Sequence, residues 1–142
     1  MSKWAQLAGR LALGAIFVVS GLGKLTAWRG MVAFAGSKGI PEVLLAIATA
    51  LELFGGVSVV LGFRARFGAL ALLIFLVPVT LVFHNFWAVP PEQHQMQMVN
   101  FMKNLSIGGG LLIVLGRGAG AYGIDGRGAS AGGGSLPGSA AR

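Results

Sequence analysis

Four polar side chains stand out against an apolar background: Lys24, Glu52, His84 and Lys103. A carboxylate, an imidazole and an amine, Glu52, His84 and Lys103, can hold and hand on protons, which suits proton-coupled redox chemistry or transport when water is scarce. Lys24, Ser20, Asn85, Trp87, Asn100 and Asn104 are the candidates for ligand contacts. Read as one site, Glu52 is the proton-active group, Lys103 and Lys24 are its electrostatic partners, and His84 with Asn104 supplies hydrogen bonds. The competing structural reading is a buried ion pair, Glu52 with Lys24 or with Lys103, that only fixes helix register. Either way pairing is close to obligatory, because an unpaired charge near a bilayer centre is costly.

The elements that must position these groups look made for lipid. The chain has 142 residues, 55% hydrophobic and only 11% charged, against about 25% charged in a soluble domain. One integral membrane domain follows, with the lipid bilayer as its main partner. The net charge of +7 does not indicate nucleic acid, because the eleven Lys and Arg form no single basic patch. They sit at the ends of apolar runs, as juxtamembrane charges do. There is no cysteine, which excludes disulfides, iron–sulfur ligation and a dithiol relay within this chain.

The first apolar run is Leu7 to Leu25, and nineteen residues nearly cross the hydrocarbon core. Arg10 interrupts it and the run is long, so a retained helix is expected rather than a signal peptide. Trp28 to Gly39 reads as a short interfacial helix. Pro41 and Glu42 open the second span, Val43 to Leu61, with Glu52 at its centre. The third span runs from Phe67 to about Val89 through Pro78, which should kink it. The fourth runs from about Met96 to Leu115. From Arg117 onward Gly, Ala and Ser dominate, and such composition predicts a disordered tail without chemistry. The four-helix domain is drawn as 1–126 and the tail proper as 127–142.

Four spans with short links predict an all-α, up-down-up-down membrane bundle. Lys3, Arg10, Arg64, Arg66, Arg117, Arg127 and Arg142 fall on one side, and Lys24, Arg29 and Lys38 on the other. Seven against three predicts both termini in the cytoplasm. Ser20, Lys24, His84, Asn85, Asn100, Lys103 and Asn104 then all reach the outer half, and the inner half is almost purely apolar. Spacing sharpens the faces: Thr49, Glu52, Gly55, Gly56 and Val59 share one on the second helix, and Gln93, Gln97, Asn100, Asn104 and Gly108 share one on the fourth, with Lys103 at its edge. Thr80, His84 and Trp87 line up on the third, and Phe17, Ser20, Gly21 and Lys24 on the first. Gly55 and Gly56 would let another backbone approach, and glycine-rich faces permit self-association.

Other signals carry less. His94 is the second histidine and falls in a link, so neither a bis-histidine haem nor a metal site is indicated. Gly118-Ala119-Gly120-Ala121-Tyr122-Gly123 matches G-x-G-x-x-G, yet no strand precedes it.

Several short motifs, taken in order, resemble the DoxX family of membrane proteins. They are Gly9-Arg10, Ser20-Gly21 with Lys24-Leu25, Glu52-x-x-Gly55-Gly56, Gly62-Phe63-x-x-Arg66, His84-x-Phe86-Trp87, and Phe101-x-Lys103-Asn104-Leu105 with Gly108-Gly109. Gly116-x-Gly118 and Gly123-Ile124-Asp125 resemble the family's ending. The resemblance covers about residues 7 to 126 and implies a four-helix protein of the bacterial inner membrane. Some members are subunits linked to thiosulfate and quinone oxidoreduction, and some actinobacterial ones assemble with superoxide-detoxifying and sulfur-transfer proteins. It therefore implies a redox or thiol-stress role, membrane or redox protein partners, and a quinone-like or lipid-like ligand. A small transporter or proton relay, and a non-catalytic scaffold, are the other two readings of the same residues.

Overall fold

The computed structural model describes residues 2–126, so the expected 127–142 tail lies outside the described residues. Five α-helices follow in order: α1 (Lys3–Thr26), α2 (Trp28–Ser37), α3 (Glu42–Leu61), α4 (Ala65–Phe83) and α5 (Pro91–Arg117), with a single 3₁₀ turn at Phe86–Ala88 before the last. Among the described residues, α1, α3, α4 with its following turn, and α5 are long and apolar enough to cross a membrane. Their outward surfaces fit that setting: Phe54, Phe67 and Val19 are 79%, 72% and 70% exposed. Surfaces this apolar are stable facing acyl chains, not water.

Packing runs in a row. α1 lies on α3, α3 on α4 and α4 on α5, while α1 and α5 meet little. Two adjacent glycines of α3 make the row tight. A Cβ at Gly56 would lie 3.1 Å from Phe17 Cβ of α1, and one at Gly55 would lie 3.0 Å from the Gly68 carbonyl of α4. Neighbouring positions on one helix point in different directions, so each glycine seats a different partner. These two glycines are used inside the bundle. The core between the helices is Phe17, Val59, Ala69, Leu72, Phe75, Leu76 and Leu111. Contacts fix the relative directions: Gly14 meets Val60 and Gly21 meets Leu53, so α1 ascends as α3 descends.

α5 starts at Pro91, ahead of the expected Met96, so His94 lies in the helix and not in a link, and two larger differences from expectation follow. α4 stops at Phe83, so His84 and Asn85 leave the helix instead of forming its last turns. His84 caps α4 through its own N–H to the Thr80 carbonyl. Val89 precedes Pro90 and is extended, at φ −110° and ψ 158°, as the proline ring demands. The intervening Phe86 rings edge-on against Trp87, His94 and Phe101, which stabilises the tight turn over continued helix. Trp87 is consequently exposed and shares no helix face with Thr80.

The second difference is at the C-terminus. The chain after Arg117 does not trail away. Residues 118–126 fold back over the end of the bundle that holds the start of α1 and the α3–α4 loop. Positive φ at Gly118 and Gly120, 75° and 73°, makes the reversal accessible.

Candidate functional site

The buried stripe on α3 is the one its periodicity predicts: Thr49, Glu52, Gly55, Gly56 and Val59. Glu52 sits near the middle of that helix, with its side chain only 3% exposed. Its partner comes from the last turn of α1, where a cation also suits the helix dipole. Lys24 Nζ lies 2.5 Å from Glu52 Oε2 and 2.9 Å from Ser20 Oγ, which accepts from it. The ammonium also stands 5.6 Å from the centroid of the Phe75 ring. Ser20, Lys24 and Glu52 therefore form one constellation, assembled from two helices.

Lys103 does not join it. Its amine donates to Asn100 Oδ1 of its own helix at 3.1 Å, on an exposed surface. The open choice of partner for Glu52 resolves to Lys24. Asn104 forms a separate buried pair, donating through Nδ2 to Thr80 Oγ1 at 3.0 Å. Thr80 in turn donates to the Leu76 carbonyl, so its hydroxyl is used in both directions. His84 Nδ1 lies 2.9 Å from Gln97 Oε1; against a carbonyl acceptor the Nδ1 carries the proton. The predicted stripe on α5 thus faces α4, through Gln97 and Asn104. Ser20, Lys24, Glu52, His84 and Asn104 fall in three separate polar clusters, one between α1 and α3 and two between α5 and the end of α4, while Asn85, Trp87, Asn100 and Lys103 join none of them. Trp28 does not float at an interface unpartnered, since its indole N–H donates to Glu42 Oε1 at 2.8 Å and ties α2 to the start of α3. Asn85 accepts the Ala88 N–H on its backbone carbonyl, a turn contact. Among the described residues no three His, Asp or Glu side chains converge as metal ligands.

The opposite end is not purely apolar, which corrects the sequence-based expectation. Arg10 is 4% exposed, and its guanidinium donates to the carbonyls of Ala119 and Tyr122. Its Nε has no partner, a vacancy that usually costs about 1–3 kcal/mol. Asp125 completes the closure. Its carboxylate accepts the N–H groups of Arg64 and Ala65, at 2.9 and 3.1 Å, while its own N–H donates to the Gly62 carbonyl at 2.9 Å. Those two amides belong to the N-cap and the first residue of α4, so Asp125 is a capping carboxylate delivered from 60 residues away. It also holds Arg64 at a left-handed φ of 49°. Between α1 and α5 at this end lies a cleft of about 200 Å³. The sequence did mark these residues, as Gly9-Arg10, Gly62-Phe63-x-x-Arg66 and Gly123-Ile124-Asp125, but not that they meet.

Comparison with known proteins agrees with this architecture. The DoxX family model matches residues 5–85. The chain is 33% identical to inner membrane protein YqjF of Escherichia coli (strain K12) over 119 residues, 84% of this chain and 88% of that one. It is 32% identical to inner membrane protein YphA of the same organism over 123 residues, 85% of this chain and 88% of that one. A shorter likeness, 40% identical over 57 residues, links 40% of this chain to 42% of CatD of Bacillus subtilis (strain 168), which is named as a candidate oxidoreductase. No solved structure matches the chain. A family match over more than half of the chain, on a bundle with four membrane-length helices, means that this protein belongs to the DoxX family.

Proposed function

We propose that this chain is an inner-membrane subunit supporting redox metabolism, quinone-linked or in oxidative and thiol stress, and that it seats the polar head of a quinone-like or lipid-like molecule on the Lys24–Glu52 pair. The observation that carries this reading is the pair itself. An ammonium has three donors; Glu52 and Ser20 accept two of them. The third suits a ligand carbonyl, and Lys24 is the more open partner, 18% exposed against 3% for Glu52. Phe75, beside the amine, offers an aromatic wall to a ring. Support for the setting comes from relatives named as inner membrane proteins, and for redox from the name of CatD. With no cysteine in the chain, electrons would pass between the ligand and a partner protein.

The excess of Lys and Arg at the end with the start of α1 and the end of α5 supports both termini in the cytoplasm. The Lys24–Glu52 pair then opens toward the outer leaflet, with α2 lying along that surface. The test is purification in mild detergent, followed by mass spectrometry of co-purifying small molecules. The wild type should retain a quinone-like or lipid-like compound, and the doubly neutral Lys24→Met/Glu52→Gln variant should retain at least tenfold less. Equal retention by both overturns the reading. Proteoliposome proton flux that vanishes in Glu52→Gln, without a retained ligand, would assign the same pair to transport instead.

A further inference from the structure

At the end of the bundle away from the termini, α1 stops short of its neighbours. Gly14 faces Val60 and Gly21 faces Leu53, so α1 and α3 pass each other residue for residue. On that register Thr26, the last residue of α1, stands level with Ala48, and α3 reaches on to Glu42. The step between the two helix ends is about 9 Å high. Lys24 and Glu52 lie at its foot, since Lys24 belongs to the last turn of α1 and reaches across to α3.

The short helix α2 occupies the step. It leaves α1 through one non-helical residue, Ala27 at φ −108° and ψ 29°. Trp28, Met31, Val32 and Ala35 are its half-buried and buried residues, and their helical spacing turns one face inward. Trp28 Nε1 donates to Glu42 Oε1 at 2.8 Å, at the head of α3. Phe34 stacks on Phe83, the last residue of α4, with ring centroids 5.5 Å apart. These two contacts join α2 to both helices that rise above the pair. The seat is otherwise light. Only Ala35 of α2 is fully buried, and Phe34 is 50% exposed. A helix of ten residues is marginal without tertiary contacts. Its far joint contains Gly39 at φ 74°, where glycine can enter and leave the left-handed region at little cost. A short helix between two joints, held by side-chain contacts, has the parts of a lid.

We propose that α2 is a lid over the Lys24–Glu52 pair, hinged at Ala27 and Gly39 and latched by Trp28 on Glu42 and by Phe34 on Phe83. Closed, it leaves Lys24 18% exposed and Glu52 3%. Open, it bares the step and brings the ammonium into contact with water. The inference rests on the reading of the pair as a ligand site, and adds that entry and release are gated by α2. Glu42 belongs to the gate and Glu52 to the site.

The test reads the lid with no ligand, through acetylation of Lys24 by water-soluble sulfo-N-hydroxysuccinimide acetate and peptide mass spectrometry. The full chain is used in detergent, whose belt keeps the reagent from the lateral faces. Because the chain has no cysteine, Phe34→Cys/Phe83→Cys introduces one unique pair, closed by a short bis-methanethiosulfonate cross-linker and reopened by reductant. Cross-linking should slow Lys24 acetylation at least tenfold and reduction should restore it, while exposed Lys3 reacts at an unchanged rate. Trp28→Phe, which keeps a ring and removes the hydrogen bond to Glu42, should quicken Lys24 acetylation at least threefold. Equal rates in the cross-linked and reduced protein, no reaction in either, a cysteine pair that cannot be bridged, or Trp28→Phe labelling like the wild type would each overturn the proposal. Ligand retention in Lys24→Met/Glu52→Gln judges the site itself, so a failed lid leaves the ligand reading standing, and the lid is judged by Lys24 labelling even where no ligand is retained.

Discussion

The two ends of this bundle bury charge in opposite ways. At the end with the termini, Arg10 and Asp125 bond almost entirely to backbone: two carbonyls for the guanidinium, two amides for the carboxylate. At the middle and far end, polar groups bond side chain to side chain: Lys24 with Glu52 and Ser20, Asn104 with Thr80, His84 with Gln97. Backbone partners are fixed by the fold and do not change charge, so the first arrangement acts as a clasp. Side-chain partners can exchange protons and reorient, so the second can respond to a ligand. The contrast separates architecture from chemistry within one small bundle.

The strongest way to break this contrast is to remove one charge of the Lys24–Glu52 pair. Leaving a buried charge alone is expected to cost about 3–5 kcal/mol, so Lys24→Met should unfold at clearly lower denaturant or temperature in detergent. Glu52→Gln, which strands the amine, should behave similarly but less severely, because Lys24 is the more open group. The double variant should recover most of the loss, since neither charge then remains. If the double variant is as unstable as Lys24→Met alone, the pair is not the unit that the geometry describes.

How far these ends were legible in the sequence differs too. The stripe containing Glu52 followed directly from helical spacing, because every member of it is small, apolar or able to hydrogen-bond and faces the same way. Lys24 and Lys103 were equally good partners on depth alone. Their choice depends on which helix approaches α3, and that is decided by Gly14, Gly21 and Gly56 bringing α1 close. One residue along a helix is about 100° of rotation, enough to place Lys103 outside the face that Asn100 and Asn104 share. The clasp was hidden for a different reason. Arg10 bonds to main-chain carbonyls 109 and 112 residues away, and carbonyls carry no residue signature. Glycine and alanine around them read as a tail, although the same glycines permit the turn that brings Asp125 home. The end of α4 was misplaced because an aromatic cluster beyond it, centred on Phe86, competes with one more helical turn.

A smaller perturbation sharpens the comparison from the clasp side. Asp125→Ala removes the acceptor for the first two amides of α4, a capping loss of about 0.5–2 kcal/mol. Hydrogen exchange at Arg64 and Ala65 should quicken well before that of the α4 core around Leu72. Asp125→Asn, which keeps one carbonyl acceptor, should fall between the two. Ligand retention at Lys24 and Glu52 should stay at the wild-type level in both variants. A drop there would mean that the two ends are coupled and the division into clasp and site is wrong.

The smallest effect belongs to Lys103, and its smallness is the informative part. It lies in a helix beside the polar stripe, and by sequence it could hold the Glu52 charge as well as Lys24 does. Its amine instead bonds to Asn100 on its own exposed surface, an arrangement worth a few tenths of a kcal/mol at most positions of this kind. Lys103→Met should therefore shift the unfolding transition by less than about 0.5 kcal/mol and leave ligand retention unchanged. Against Lys24→Met, measured in the same detergent, the two lysines should differ by several-fold in their effect on stability. Equal losses would place the α5 amine at the same carboxylate, and the site would then be built from three helices, α1, α3 and α5, and not from two.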